Sequence, residues 1–202
     1  MQFAPTVNKK NMKIIFATAN QNKANEIQKI VPAEIEILSL KDIHFEGDIP
    51  ETQPTIEGNA VQKANFIVDK FAMNCFADDT GLEIEALNGE PGVYSARYAG
   101  EEKDNEKNID LVLEKLANID NRNARFKTVI ALSIDGKLET FEGIIEGEII
   151  KERRGSQGFG YDAIFVPNGY SQTFAELSME EKNQISHRAR AIKKMVNFLT
   201  DK

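Results

Sequence analysis

The sequence contains one cysteine in 202 residues and no long apolar run. The single cysteine, Cys75, excludes an internal disulfide and is compatible with a reducing compartment, and its apolar neighbours favour a core position. No stretch of 18 apolar residues occurs, and the leader MQFAPTVNKKN has no apolar segment. The sequence therefore predicts neither a membrane span nor a signal peptide, and we expect a cytoplasmic protein that does not bind membranes.

Basic residues are in the minority, with 25 Lys and Arg against 32 Asp and Glu and a formal net charge of −7. That balance argues against a nucleic-acid binder, whose surface normally carries an excess of positive charge. A small anionic ligand remains compatible with it, because a few basic side chains that converge on a pocket act locally. The content of 41% hydrophobic and 28% charged residues is typical of a globular protein. We expect one bilobed domain over residues 12–202, preceded by a disordered N-terminal extension over residues 1–11.

Strand-like and helix-like stretches alternate along the chain, which predicts an α/β or α+β fold with a mixed sheet. Residues 12–18 and 33–40 have the short apolar or alternating pattern of strands. Thr55 is placed to cap a long helix whose apolar residues recur at helical spacing. Asp135-Gly136 lies between two long alternating runs and predicts a β-hairpin.

Three further local signals bear on the path of the chain. Thr80-Gly81 predicts a turn after the strand that contains Cys75, and Asn88-Gly89 predicts a second hairpin. Ser178 begins a capping box, which predicts that a helix starts there.

The stretch TANQNK, residues 18–23, lies between the first predicted strand and the first predicted helix. Backbone N–H groups at a helix start attract phosphate, and Thr18, Asn20 and Lys23 add a hydroxyl, an amide and a charge. No G-x-x-x-x-G-K-[ST] pattern occurs, so the site is not a Walker P-loop. A capped helix with a surface lysine is the alternative interpretation.

Two adjacent carboxylates, Asp78 and Asp79, end an apolar strand in the stretch FADDTGLEI. Because side chains alternate faces along a strand, at most one of the two points into a given cleft. Carboxylates at strand ends are natural ligands of Mg²⁺. Asn59 and Lys63 lie one turn apart on the long helix, with Lys63 near the edge of the buried stripe. A solvated lysine is the alternative for Lys63.

The glycine-rich stretch GSQGFGYD lacks the spacing of a dinucleotide fingerprint. It offers Phe159 and Tyr161 for stacking on a flat base, with Asp162 at the start of the next strand. A loop whose aromatic rings fill the core is the alternative. In the stretch EKNQISHRARA, an unbroken helix would place Lys182 and Arg188 about 120° apart around its axis.

A helix break at Ser186 would change that arrangement. Serine is a favoured N-cap residue, so a new helix could begin with His187 and Arg188. These two side chains would then face the same cleft as Lys182.

Together, TANQNK, GNAVQKA, FADDTGLEIEALNGEPGVYSARYAG, GFGYD and EKNQISHRARA resemble the inosine triphosphate pyrophosphatase family, in the right order from Met12 to the C-terminus. The resemblance implies an α/β fold with an elongated mixed sheet, flanking helices and two lobes around a nucleotide cleft. It also implies a homodimer that needs Mg²⁺ and hydrolyses dITP, ITP and XTP to the nucleoside monophosphate and pyrophosphate.

The resemblance also implies roles for individual residues. Asp79 would be the proton acceptor and a metal ligand, with Lys63 as a second catalytic residue. Many members carry Glu before the Asn of the long helix, where this sequence has Gly58, and Glu51 is taken as the second metal ligand. The implied substrate-binding residues are Thr18, Asn20, Asn22, Lys23, Thr80, Phe159, Gly160, Tyr161, Asp162, Lys182, His187 and Arg188.

Hydrogen-bond donors on His187 and Arg188 would bind the 6-keto group of hypoxanthine and xanthine. The 6-amino group of adenine is itself a donor and would remain unpaired there. Two alternatives remain. A Maf-like pyrophosphatase would act on other nucleotides, but its first loop usually reads S-x-S-x-x-R, whereas this chain has T-x-N-x-x-K. The other alternative is a catalytically silent nucleotide-binding module, against which the retained Asp79, Lys63 and Lys23 argue.

Overall fold

Six strands form one mixed sheet in the computed structural model, which describes residues 12–201. The strands are β1 Met12–Phe16, β2 Ile35–Leu38, β3 Cys75–Ile84, β4 Asn123–Ile134, β5 Lys137–Ile149 and β6 Phe165–Pro167. Their order is β2-β1-β3-β4-β5-β6, with parallel pairing among the first three and antiparallel pairing from β3 to β6. The predicted mixed sheet is confirmed, and the predicted extension over residues 1–11 lies outside the described residues.

In the described part of the chain, five α-helices flank the sheet: α1 Gln21–Gln28, α2 Ile56–Phe71, α3 Asn105–Lys115, α4 Met179–Ile185 and α5 His187–Thr200. Short 3₁₀ turns cover Glu85–Leu87, Gly92–Arg97 and Gly160–Ile164. Within residues 12–201, no helix has the length and apolar character that crossing a bilayer requires.

The alternation of side chains along β3 and β4 sends them into separate cores. Phe76 and Leu132 pack in the cluster that contains α5, whereas Ala77 and Ala131 pack in the cluster that contains α2. A third cluster lies farther along the sheet, where Leu82 meets α3 and the turn before β6. The central part of the sheet is therefore covered on both faces, and β3 passes between α2 and α5.

Several local signals are confirmed. Thr55 caps α2, Ser178 forms a capping box with Glu181, and the Asp135-Gly136 pair joins β4 to β5 in a two-residue hairpin. The predicted break at Ser186 is also present: its backbone is extended, and its hydroxyl accepts a hydrogen bond from the N–H of Ala189.

The predicted turn at Thr80-Gly81 is wrong, because β3 continues through both residues and pairs them with β4. Gly81 is needed there for a close approach, since a Cβ atom would lie 2.5 Å from the carbonyl oxygen of Gly92. Asn88-Gly89 does reverse the chain, but it follows a 3₁₀ turn and is closed only by an isolated bridge instead of two paired strands.

Candidate active site

A cavity of about 420 Å³ opens where the end of β1, the middle of β3 and the start of α5 meet. All but one of the predicted site residues line it: Thr18, Asn20, Lys23, Glu51, Lys63, Asp79, Thr80, Phe159, Gly160, Tyr161, Asp162, Lys182, His187 and Arg188. Asn22 is the exception, and its side chain is exposed on α1. The fold therefore gathers residues from well-separated stretches of the sequence around one cavity.

Asp79 faces the cavity from β3, and its carboxylate lies against α2. Asn59 donates from Nδ2 to Oδ2 of Asp79 at 3.2 Å, and Nζ of Lys63 lies 3.5 Å from Oδ1. Lys63 also donates to Oε1 of Glu51 at 2.6 Å, so one buried ammonium joins two carboxylates. Burial raises the pKa of Asp79 even though Lys63 lowers it. Burial lowers the pKa of Lys63, but the nearby carboxylates raise it above its usual value.

Asp78 points to the opposite face of β3, toward α1 and α5. Its Oδ2 lies 3.0 Å from Nζ of Lys23 and accepts from Nε of Arg188 at 3.2 Å. Burial would raise the pKa of Asp78, but Lys23 and Arg188 outweigh burial and hold it well below its usual range. Asp79 alone of the pair lines the cavity, as the alternation of side chains along a strand predicts.

Lys182 and Arg188 share a buried carboxylate, Glu26, that the sequence analysis did not identify. Oε1 of Glu26 accepts from Lys182 at 2.9 Å, and Oε2 accepts from Nη1 of Arg188. Lys182 also donates to Oδ2 of Asp162 at 2.7 Å. The break at Ser186 makes this meeting possible, because it turns Arg188 toward the same carboxylate as Lys182.

The start of α1 corrects one expectation. Oδ1 of Asn20 accepts the backbone N–H groups of Asn22 at 3.0 Å and Lys23 at 3.3 Å, so the amides expected to attract phosphate are already bonded. The helix is capped, as the alternative interpretation held, but Lys23 is not a surface lysine, because its side chain is 14% exposed and paired with Asp78. Burial lowers the pKa of Lys23, although Asp78 raises it.

Aromatic rings gather where the turn at residues 159–162 meets α5. The hydroxyl of Tyr161 donates to the carbonyl of Ser95 at 2.8 Å and its ring packs in an apolar cluster, so Tyr161 fills the core as well as lining the cavity. Phe159 is half-buried, and Nζ of Lys182 lies 5.0 Å from its ring centroid. Phe159 is therefore the better-placed ring for stacking.

His187 is buried, and its ring stacks on Phe126 with centroids 4.7 Å apart. Burial, together with Arg188 and Lys182, lowers the pKa of His187 well below its usual value, so the imidazole is neutral. Among residues 12–201, Nδ1 of His187 finds no hydrogen-bond partner. A buried polar atom without a partner next to a cavity indicates a place where a ligand can bind.

Glu51 and Asp79 are the two carboxylates that could hold a metal ion. Within the part of the chain that the structure describes, no group of three or more His, Cys, Asp or Glu side chains is arranged for that purpose. Mg²⁺ commonly takes one or two protein carboxylates and completes its shell with water and phosphate oxygens. The donor set therefore suits an ion that shares its coordination with a phosphorylated ligand.

Sequence reasoning missed several residues of the cavity wall. Glu26 could have been identified from its place beside Ile27, since a carboxylate at the edge of an apolar helical stripe is unusual. Ser95, Arg97 and Lys103 also line the cavity, and no spacing rule distinguishes them from loop residues.

Comparisons with known proteins give matches over nearly the whole chain. The model of the Ham1 family matches residues 14–198. A dITP/XTP pyrophosphatase of Flavobacterium psychrophilum is 54% identical over 93% of this chain and 98% of its own, and one of Bacillus subtilis is 47% identical over 92% and 96%. The solved Ham1 protein of Staphylococcus aureus has a TM-score of 0.86 and 42% identity over 94% of this chain and 98% of its own.

Proposed function

Because this chain belongs to the Ham1 family, we propose that it hydrolyses the non-standard purine nucleoside triphosphates dITP, ITP and XTP to the nucleoside monophosphate and pyrophosphate. The observation that carries the proposal is Asp79, a carboxylate with a raised pKa at the cavity wall, held beside the buried cation Lys63. The reaction requires such a group next to a site for several phosphates. The names of the relatives support the choice of substrate.

Release of pyrophosphate requires in-line attack of water at the α-phosphorus, and the negative charge that grows on the leaving group must be stabilised. Lys23 and Lys63 line the cavity from neighbouring elements and supply fixed positive charge for the triphosphate. Thr18 and Asn20 add a hydroxyl and a carboxamide at the same wall. Asp79 takes the proton of the attacking water, a role that suits a carboxylate whose pKa lies above its usual value.

Mg²⁺ is the proposed cofactor, with Glu51 and Asp79 as the residues that would hold it. When bound, such an ion lowers the pKa of water and neutralises phosphate charge. Lys63 already bridges the two carboxylates, so it keeps them close together and limits their mutual repulsion.

Selection of the base falls to the end of the cavity formed by Phe159, His187 and Arg188. Phe159 stacks on the purine, while the neutral His187 and the remaining N–H groups of Arg188 meet the 6-keto oxygen. A 6-amino group would leave these donors unpaired, at a cost of about 1–3 kcal/mol per lost hydrogen bond. Lys182 and Asp162 support this wall through their own ion pair.

The oligomeric state in this proposal is the homodimer that the family resemblance implies. The composition and net charge of the sequence support action on free nucleotides in the cytoplasm, without nucleic acid or a membrane. Sedimentation of the purified protein tests the dimer directly.

Turnover of dITP, XTP, ITP, dTTP and GTP, measured side by side with Mg²⁺ and with excess chelator, tests the proposal. We expect release of pyrophosphate from the first three substrates with Mg²⁺ and its loss with chelator. Full hydrolysis in chelator would contradict the metal requirement. Preference for dTTP would favour the Maf-like alternative, and binding without turnover would favour a silent nucleotide-binding module.

A further inference from the structure

The segment between β3 and α3 contains the stretch GVYSARYAG, which the proposed function does not use. It forms one wall of the cavity, to which it contributes Ser95, Arg97 and Lys103. The carbonyl oxygen of Ser95 in this wall accepts a hydrogen bond from the hydroxyl of Tyr161. This end of the wall therefore lies beside the turn at residues 159–162. Lys103 near its end lines the same cavity as Glu51 and Asp79, the carboxylates proposed to hold the metal.

The backbone of this wall is held in place by α3. Asn108, which is buried, accepts the N–H of Ala99 at 2.7 Å and donates to the carbonyl of Ala96 at 3.0 Å. Arg97 lies between these two anchored residues. Its backbone is therefore fixed, and its side chain reaches the cavity from a rigid base.

The cations on this wall differ from the other cations of the cavity in having no close carboxylate among residues 12–201, although the guanidinium of Arg97 lies 5.4 Å from the ring centroid of Tyr94. Lys23, Lys63 and Lys182 each lie within about 3 Å of a carboxylate oxygen. Among residues 12–201, the only ion pair of Arg97 is a 4.0 Å contact with Glu101, whose side chain is 88% exposed.

An exposed pair at that distance contributes little. Lys103 forms no ion pair with any residue of the described chain, and the residue is exposed. Arg97 is only partly exposed, at 19% of its side chain, so its charge is partly desolvated without a close anion.

We propose that Arg97 and Lys103 bind the outer phosphates of the substrate, the part that leaves as pyrophosphate. This inference rests on the proposed function for the identity of the substrate. Lys23 and Lys63 approach the triphosphate from α1 and α2, and Arg97 and Lys103 approach it from the wall after β3. Positive charge from both walls then stabilises the leaving group, and the partly desolvated guanidinium gains the anion that it lacks.

Binding of inorganic pyrophosphate and of inosine monophosphate, measured by titration calorimetry with Mg²⁺, tests the inference without turnover. Arg97→Gln and Lys103→Gln should each weaken pyrophosphate binding by about tenfold to a hundredfold, the size expected for loss of a charge-assisted hydrogen bond. Binding of the monophosphate, which lacks the outer phosphates, should change by less than about twofold. Arg125→Gln and Lys13→Gln are matched controls, because they remove the same charge outside the cavity.

Unchanged pyrophosphate binding in both variants, or equal weakening of pyrophosphate and monophosphate binding, would overturn the inference. A shift in oligomeric state caused by Arg97→Gln would overturn it for Arg97, since that residue would then contact a second copy of the chain. Lys103→Gln keeps the test open if Arg97→Gln fails to fold, because Lys103 is exposed. Failure of the proposed function appears separately, as a wild-type protein that binds pyrophosphate but releases none from dITP or XTP.

Discussion

The two faces of β3 at Asp78 and Asp79 carry the same side chain with its pKa shifted in opposite directions. On the α5 face, Asp78 is 1% exposed and lies between Lys23 and Arg188, and its pKa is depressed. On the α2 face, Asp79 is 8% exposed, its ion pair with Lys63 is long at 3.5 Å, and its pKa is raised. Burial acts on both carboxylates in the same direction, so the close cations decide the difference.

This comparison shows how one strand can separate structure from chemistry at neighbouring positions. Asp78 is ionised and fully paired, which suits a residue that holds α1 and α5 against the sheet. Asp79 binds a proton more readily and reaches the cavity, which suits a proton acceptor. The predictions below test whether stability and turnover divide between the two faces in this way.

The largest effect is expected from Asp79→Asn. Loss of the proton acceptor should reduce kcat on dITP by up to about 10⁴-fold, the upper range for a general base. Nucleotide should still bind, because Lys23, Lys63 and the aromatic wall remain. Steady-state kinetics and calorimetric binding of ITP check the two parts.

The stability of the Asp79→Asn protein is a second test of the role of this carboxylate. An acid whose folded-state pKa is raised contributes stability that is fully present below its unfolded pKa and is lost as the pH rises through the folded-state pKa, so at pH 7 Asp79→Asn should leave the free energy of unfolding within about 1 kcal/mol of wild type or increase it. A strongly destabilised Asp79→Asn protein would show that this carboxylate holds the fold together.

Asp78→Asn should have the opposite profile. It leaves Lys23 buried without its carboxylate, which costs about 3–5 kcal/mol when a buried pair is broken. Catalysis should fall less than in Asp79→Asn. Denaturant unfolding at pH 7 and kcat on dITP, measured for the two Asn variants together, make each the control of the other, and equal losses of turnover would contradict the assignment.

The pH dependence of stability follows from the depressed pKa of Asp78. Its contribution is fully present above the unfolded pKa of about 3.9 and is lost as the pH falls through the lower folded-state pKa. Wild type should therefore lose more stability than Asp78→Asn between pH 5 and pH 2. Parallel curves of unfolding free energy against pH would show that the Lys23 and Arg188 contacts do not hold Asp78 ionised.

The next smaller effect is expected on the choice of purine base. Arg188 is the residue to change, because it is proposed to contact the base and also donates to Asp78. Arg188→Ala should lower kcat/KM for ITP and XTP by about one to two orders of magnitude and change the poor rate on ATP much less. Because Arg188 is bonded to Glu26, Asp78 and Thr80, the variant should also be less stable. A melting temperature alone does not identify the base reader, so the ITP to ATP ratio, measured below the melting range, decides.

An unchanged ratio in folded Arg188→Ala protein would assign Arg188 to the fold alone. His187 would then be the remaining reader of the 6-keto oxygen, since its Nδ1 has no partner among residues 12–201.

Sequence patterns predicted the site residues correctly where the pattern was local, as in a helix cap, or periodic, as in a strand. Thr55 and Ser186 were predictable caps, and the alternation along β3 predicted that only one aspartate reaches the cavity. The pairing of Glu26 with Lys182 and Arg188 was not predictable, because it joins residues more than 150 positions apart. Gly81 misled for a different reason: glycine is required there by the close backbone of Gly92, and in the sequence such a glycine looks the same as one that forms a turn.

The smallest effect concerns the helix that supports the Asp79 face. Thr55 accepts the N–H of Gly58 at 2.9 Å and so fixes the first turn of α2, just before Asn59 and Lys63. Thr55→Ala should cost about 1 kcal/mol of stability, and Thr55→Ser, which keeps the hydroxyl, should cost much less. If the cap also positions Asn59 and Lys63 around Asp79, Thr55→Ala should lower kcat on dITP by a few-fold. Binding of pyrophosphate by Arg97 and Lys103 should stay unchanged. Lower stability with wild-type kcat would show instead that Asn59 and Lys63 are held in place by their contacts with Asp79 and Glu51.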